Sequence, residues 1–162
     1  MKKLVLVVAV VGLFAADAVA QRAPLFTTAV TARTIQPGGT LGIVATIADA
    51  SKVSLASREC YFLVGLNYNL RAPGIHFVMP PLIIGKAQFK AVVARGVPTK
   101  LVAGLRFQMP KVRLPRGFKL PLYFQGVALA QARGNGMKPV PAVPAVALLV
   151  PAACHGRGAP SD

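Results

Sequence analysis

The chain has 162 residues, 54% of them hydrophobic, and its 19 lysines and arginines against four acidic residues give a net charge of +15. This hydrophobic fraction excludes a disordered chain, and the length suits one domain with a core of its own. The 15 glycines and 14 prolines favour short strands separated by many turns.

The N-terminal residues have the pattern of a secretory signal peptide. Lys2 and Lys3 supply a positive start, and residues 4–16 form an apolar run that is too short to span a membrane with ease. Ala18–Ala20 then supplies the small residues of a cleavage site. We therefore predict an exported protein, periplasmic or extracellular, whose mature chain begins at Gln21.

Apolar residues recur at every second position in several segments of the mature chain, which is typical of half-buried strands. In chain order the candidate strands are residues 25–31, 40–49, 60–70, 77–84, 87–94, 100–109, 119–131 and 143–150. Glycine- and proline-containing turns separate them at residues 37–39, 72–74, 95–98, 115–117 and 133–136. Only residues 47–58 suggest helix, with a turn or two between strands.

This pattern is typical of an antiparallel sandwich or a small barrel. We predict an all-β fold, an antiparallel β-sandwich of about seven to eight short strands that follows a cleaved signal peptide. The predicted organisation is a signal peptide over residues 1–20, a single domain over 21–150 and a flexible tail over 151–162. Leu66, Leu105 and Phe124 each lie on the apolar side of a candidate strand, so we expect them in one interior.

Two stretches resemble a known group of proteins. The ending "GFKLPLYFQGVALAQARGNGMKPVPAVPAVALLV" and the early "PGGTLGIVATI" are similar to segments of small secreted β-sandwich domains of environmental bacteria, immunoglobulin-like in general shape. The resemblance implies a fold and an exported location, and it implies no catalytic residues. The chain departs from the antibody pattern because it has no tryptophan.

The two cysteines of the chain are Cys60 and Cys154. In an oxidising compartment we predict a disulfide between them, with two buried free thiols as the alternative. Together with His76 and His155 they lack the paired ligand spacing of a zinc site. There is also no glycine-rich phosphate loop and no dinucleotide-binding motif. We therefore predict neither a metal site nor a cofactor.

Few side chains of the mature chain are suited to catalysis. Its carboxylates are Asp49, Glu59 and the C-terminal Asp162, and no Gly-x-Ser-x-Gly motif supplies a nucleophile. We predict that the protein is not an enzyme. The alternative is a secreted hydrolase that uses Asp49, Glu59 or His76, and it requires these side chains to meet in one cleft.

Basic residues concentrate in the stretch from 106 to 119, which contains Arg106, Lys111, Arg113, Arg116 and Lys119 and no acidic residue. Prolines within it favour an extended connection that holds the cations outward. We predict a secreted structural or adhesion-type binding module whose basic surface contacts acidic polysaccharide, lipid head groups or extracellular nucleic acid through charge. The alternative is a solvated surface that keeps a hydrophobic protein soluble.

Overall fold

A computed structural model describes residues 25–66, 81–132, 134 and 136–152. Within them the chain forms ten strands and one short 3-10 turn, Ala50–Lys52. In chain order the strands are β1 Phe26–Val30, β2 Thr34–Ile35, β3 Thr40–Ile47, β4 Leu55–Gly65, β5 Leu82–Gln88, β6 Lys90–Ala94, β7 Val97–Gln108, β8 Leu120–Gln131, β9 Met137–Pro141 and β10 Ala145–Leu149. No helix in the described part of the chain is long and apolar enough to cross a membrane.

The strands form two sheets that pack against each other. The four-stranded sheet has the order β1-β3-β7-β6, and the six-stranded sheet has the order β2-β10-β8-β4-β5, with β9 paired to β8. The named pairs are antiparallel except β2 with β10, and an isolated parallel bridge joins Thr27 to Val143. The predicted all-β sandwich is confirmed, with more strands than the seven to eight expected and one parallel pair.

One hydrophobic core lies between the sheets. Phe107 from the four-stranded sheet meets Phe124 from the six-stranded sheet edge to face, with ring centroids 5.6 Å apart. Phe124 is fully buried, and Leu105 and Leu66 pack against the same cluster, as the sequence predicted. The sheets lie close together at Gly126, where an added Cβ would lie 2.8 Å from the Cβ of Ala45.

The alternation of apolar residues located most of the strands correctly. The expected helical region contains only the 3-10 turn, because β4 begins at Leu55 and takes up the rest of it. The parts of two candidate strands at residues 67–70 and 77–80 lie outside the described residues, as do the predicted signal peptide and residues 153–162 of the predicted tail. The cleavage and the tail therefore stay predictions.

Two strands were not predicted from the sequence: the two-residue β2 and the proline-containing β9. Pro139 and Pro141 lie within β9, and proline removes a donor from a sheet. Ala142 N donates to Gly126 O of β8. Because backbone nitrogens alternate in direction along an antiparallel strand, the nitrogens of Pro139 and Pro141 point away from β8. An edge strand accommodates prolines at these outward positions, which is why β9 forms despite them.

The chain bulges between β9 and β10. Val127 pairs with Pro141 and Phe124 pairs with Ala145, so the three residues 142–144 face only two residues of β8. Val143 N turns away from β8 and donates to Phe26 O, which joins this strand to β1. The bulge thereby ties the two sheets together along one edge.

Candidate functional site

The basic loop, residues 109–119, connects β7 to β8 at one end of the sandwich. Leu114 and Phe118 point inward and pack against the core, whereas Lys111, Arg113, Arg116 and Lys119 are all exposed. Phe118 N donates to Pro115 O at 3.2 Å and closes a tight turn that carries Arg116 at its tip. The loop is therefore anchored by apolar side chains and presents four cations to solvent.

The start of the basic loop is held by the turn that precedes β3. Gly38 N donates to Met109 O at 3.0 Å and Met109 N donates to Gly39 O at 2.8 Å. The aliphatic stem of Lys111 lies over Gly38, with its Cγ 3.1 Å from the position that a Cβ would occupy there. These contacts fix the backbone of the loop beside β3, so at least Lys111 has a defined place.

Arg106 lies on the outer face of the four-stranded sheet, near the end where the basic loop leaves β7. It is exposed, and its partner in the register is Gly42 of β3, which has no side chain to cover it. The structure therefore places four of the predicted cations on one loop and the fifth on the adjoining sheet face.

Lys90 and Lys100 extend this basic surface, and the sequence analysis did not include them. Lys100 shares its face of β7 with Arg106, and Lys90 pairs with Val102 on the same face. The alternation along β7 already indicated an outward Lys100. The position of Lys90 depends on the register between β6 and β7, which the sequence does not reveal.

The described residues contain only two carboxylates, and each is paired with a lysine close to it. Asp49 lies 3.3 Å from Lys52, and Glu59 Oε1 lies 2.7 Å from Lys86 Nζ. No ion pair reaches the five predicted cations within the described part of the chain. In the sequence no acidic residue follows Glu59 until the C-terminal Asp162, so the charge of the basic loop has few counter-charges.

The two carboxylates have separate environments. Asp49 caps the 3-10 turn by accepting from Ser51 Oγ at 2.6 Å and from Ser51 N at 3.0 Å, and these bonds lower its pKa. The bond from Lys86, followed by the bond from the Tyr61 hydroxyl, lowers the pKa of Glu59. No hydrogen bond or ion pair joins Asp49 to Glu59 among the described contacts.

The hydrolase alternative gains no shared cleft from these positions. Asp49 follows β3 of the four-stranded sheet, and Glu59 lies on β4 of the six-stranded sheet. Ionised carboxylates held by their neighbours are poorly suited to proton transfer near neutral pH. His76 lies outside the described residues, so its part in the alternative stays a prediction.

Cys60 is fully buried between the sheets, and burial raises the pKa of its thiol to about 12. Its Sγ lies 3.2 Å from the position that a Cβ on Gly126 would take. Cys60 forms no disulfide within the described residues. Cys154 lies outside them, so the predicted bond stays a prediction. The described residues also contain no group of three or more histidine, cysteine or acidic side chains placed to hold a metal ion.

Comparison with known proteins found no family model that matches this chain and no match among curated proteins.

Proposed function

We propose that this protein is a secreted, non-enzymatic β-sandwich that acts as a structural or adhesion-type binding module and contacts extracellular polyanions. Its binding surface consists of the basic loop and the adjoining Arg106. The observation that carries the proposal is the orientation of the loop, in which Leu114 and Phe118 are anchored in the core while every cation is exposed.

An immunoglobulin-like arrangement is part of the proposal, and the strand order supports it. Immunoglobulin constant-type domains place strands A, B, E and D in one sheet and C, F and G in the other. With β1, β3, β4, β6, β7 and β8 taken as A to F and β9–β10 as G, both orders match. Strand β5 then lies beside C, where variable-type domains add a strand. Domains of this architecture often serve in adhesion and recognition, and that likeness is an analogy of fold alone.

Solvation of a hydrophobic protein is the competing explanation for the basic loop. A diffuse charge attracts polyanions from any side, so the location of a cation matters little. A binding surface loses affinity only when its own cations are removed. The two explanations therefore differ in a comparison of variants with equal net charge.

The test uses Arg113→Ala/Arg116→Ala and a control, Arg58→Ala/Lys138→Ala, which removes the same charge from the opposite end of the sandwich. Arg58 and Lys138 are exposed, and β9 and the start of β4 lie at the end of β8 remote from the basic loop. Binding to heparin and to duplex DNA is measured across a salt series, by retention and by titration respectively.

If the five cations engage duplex phosphates, log affinity falls against log salt with a slope of about −4.5, at roughly −0.9 per contact. The loop variant should make the slope less steep by the contribution of about two phosphate contacts, and the control variant should leave the slope close to the parent value. Equal slopes for the two double variants would refute the proposal and make the loop a solubility feature.

A further inference from the structure

An apolar cavity opens between the two sheets at the end that carries the basic loop. Its volume is about 450 Å³, within the roughly 300–1,000 Å³ typical of small-molecule sites. The described walls include Val64, Leu82, Ile84, Phe107, Met109 and Leu122. Among the described lining residues only Gln108 has a polar side chain, so the described walls offer almost nothing but apolar surface.

The cavity is placed where apolar surface and positive charge meet. Met109 and Pro110 line it, and Lys111 follows directly at the start of the basic loop. Arg106 precedes the lining residue Phe107 but lies on the outer face of the sheet, so its side chain points away from the cavity. Both described carboxylates lie toward the strand ends that are remote from the cavity. Glu59 pairs with Gln88 at the end of β5, and Asp49 follows the end of β3 at Ile47. The charge beside the cavity is therefore cationic.

We infer that this cavity binds the chain of a single-chain fatty acid, with the carboxylate at Lys111. An acyl chain is the ligand class that matches walls that are almost entirely apolar, because most polar atoms buried there would find no hydrogen-bond partner. Lys111, which follows the lining residue Pro110, favours an anionic head group, and the volume suits one chain rather than the two of a membrane phospholipid. This site goes beyond polyanion binding and does not rest on it.

Leu82 provides a sharp test because its neighbour is a matched control. Leu82 and Ile83 are adjacent on β5, 71% and 68% exposed, and they point to opposite sides of the strand. Only Leu82 lines the cavity. Leu82→Glu and Ile83→Glu add the same charge to similarly exposed positions, so neither is expected to unfold the protein, and thermal melts of both check this.

Binding of laurate to the purified protein is measured by isothermal titration below its micellar concentration. Leu82→Glu should weaken laurate binding by about tenfold or more, the scale of a changed contact in an apolar pocket, while Ile83→Glu stays near the parent value. Lys111→Ala should weaken laurate more than Lys138→Ala does, because only Lys111 adjoins the cavity.

Dodecyltrimethylammonium carries the same tail with the opposite charge and should bind much more weakly than laurate. The inference is overturned if the parent does not bind laurate, or if the two glutamate variants bind it equally. Equal binding by the two lysine variants, or binding of the cationic amphiphile as tight as that of laurate, overturns the assignment of the carboxylate to Lys111.

Discussion

Thr28 and Gln125 are the two buried polar side chains of the described residues, and both serve the bulge between β9 and β10. Thr28 Oγ1 accepts from Gly126 N at 2.9 Å, and Gln125 Nε2 donates to Ala142 O at 2.5 Å. The bulge interrupts the ladder between β8 and its neighbour, so these side chains supply hydrogen bonds that the backbone cannot make there. Gln125 Oε1 accepts no hydrogen bond in the described part of the chain.

Replacement of Thr28 by valine keeps the shape of the side chain and removes the acceptor for Gly126 N. We expect a loss of about 1–3 kcal/mol in the free energy of unfolding, because a buried backbone N–H is left without a partner. Thr27→Val is the control, since Thr27 lies on the outer face of the same strand and should change stability little. Urea unfolding measures both variants, and equal losses would show that the Thr28 bond contributes no stability.

Among the elements, the β6–β7 hairpin extends furthest beyond the core. All five residues of β6 and the first four of β7 are exposed, and Ala94 pairs with Val97 across a two-residue turn. Arg95 and Gly96 in that turn both have positive φ, of 51° and 80°, which is the pattern of a type I′ turn. Backbone conformation rather than burial therefore determines the stability of this hairpin tip.

Gly96→Ala should destabilise the protein by about 1 kcal/mol, the cost of holding a Cβ in the left-handed region. An added Cβ at Gly96 meets no atom within 4 Å, so strain of the backbone is the only cause. Gly104→Ala is the matched control, because Gly104 is exposed on β7 without positive φ and its added Cβ makes only an ordinary contact, 3.8 Å from Ile43 O. A neutral or stabilising result for Gly96→Ala would contradict the turn geometry.

At the scale of the whole molecule, the charge is strongly unbalanced. The chain carries a net charge of +15, and both described carboxylates are already paired with Lys52 and Lys86. Repulsion among the remaining cations opposes compaction of the chain. The basic loop and the outer face of the four-stranded sheet bring several of these cations to one part of the surface, which increases the repulsion there.

Screening of this repulsion should raise the melting temperature. Between 0.01 M and 0.15 M salt the Debye length falls from about 30 Å to about 8 Å, so the cations of the basic surface repel each other less. We expect Tm to increase over this range of NaCl, and equally with KCl if screening is the cause. A constant or falling Tm would mean that the surface cations are too widely spaced to affect stability.

The all-β class and most of the strands could be predicted from the order of residues alone. Residues such as Leu122 and Phe124 alternate with residues of the outer face, and a pleated strand converts that alternation directly into a buried and an exposed side. The cluster of cations from 106 to 119 was also apparent in the sequence, because it depends only on order along the chain. Strand β9 was not among the predicted strands, and its prolines fall on the outward side of an edge strand.

Contacts between residues far apart in the chain depend on the folded arrangement of the strands. The pairing of β6 with β7 brought Lys90 onto the same sheet face as Arg106. Strands β3 and β4 belong to different sheets, so Asp49 follows a strand of one sheet and Glu59 lies in the other. The hydrogen bond between Thr28 and Gly126 joins residues 98 positions apart, and the apolar cavity takes its walls from four strands and the start of the basic loop. Alternation and composition are local properties of a chain, whereas strand order and register depend on the packing of the whole core, so no local pattern could predict these contacts.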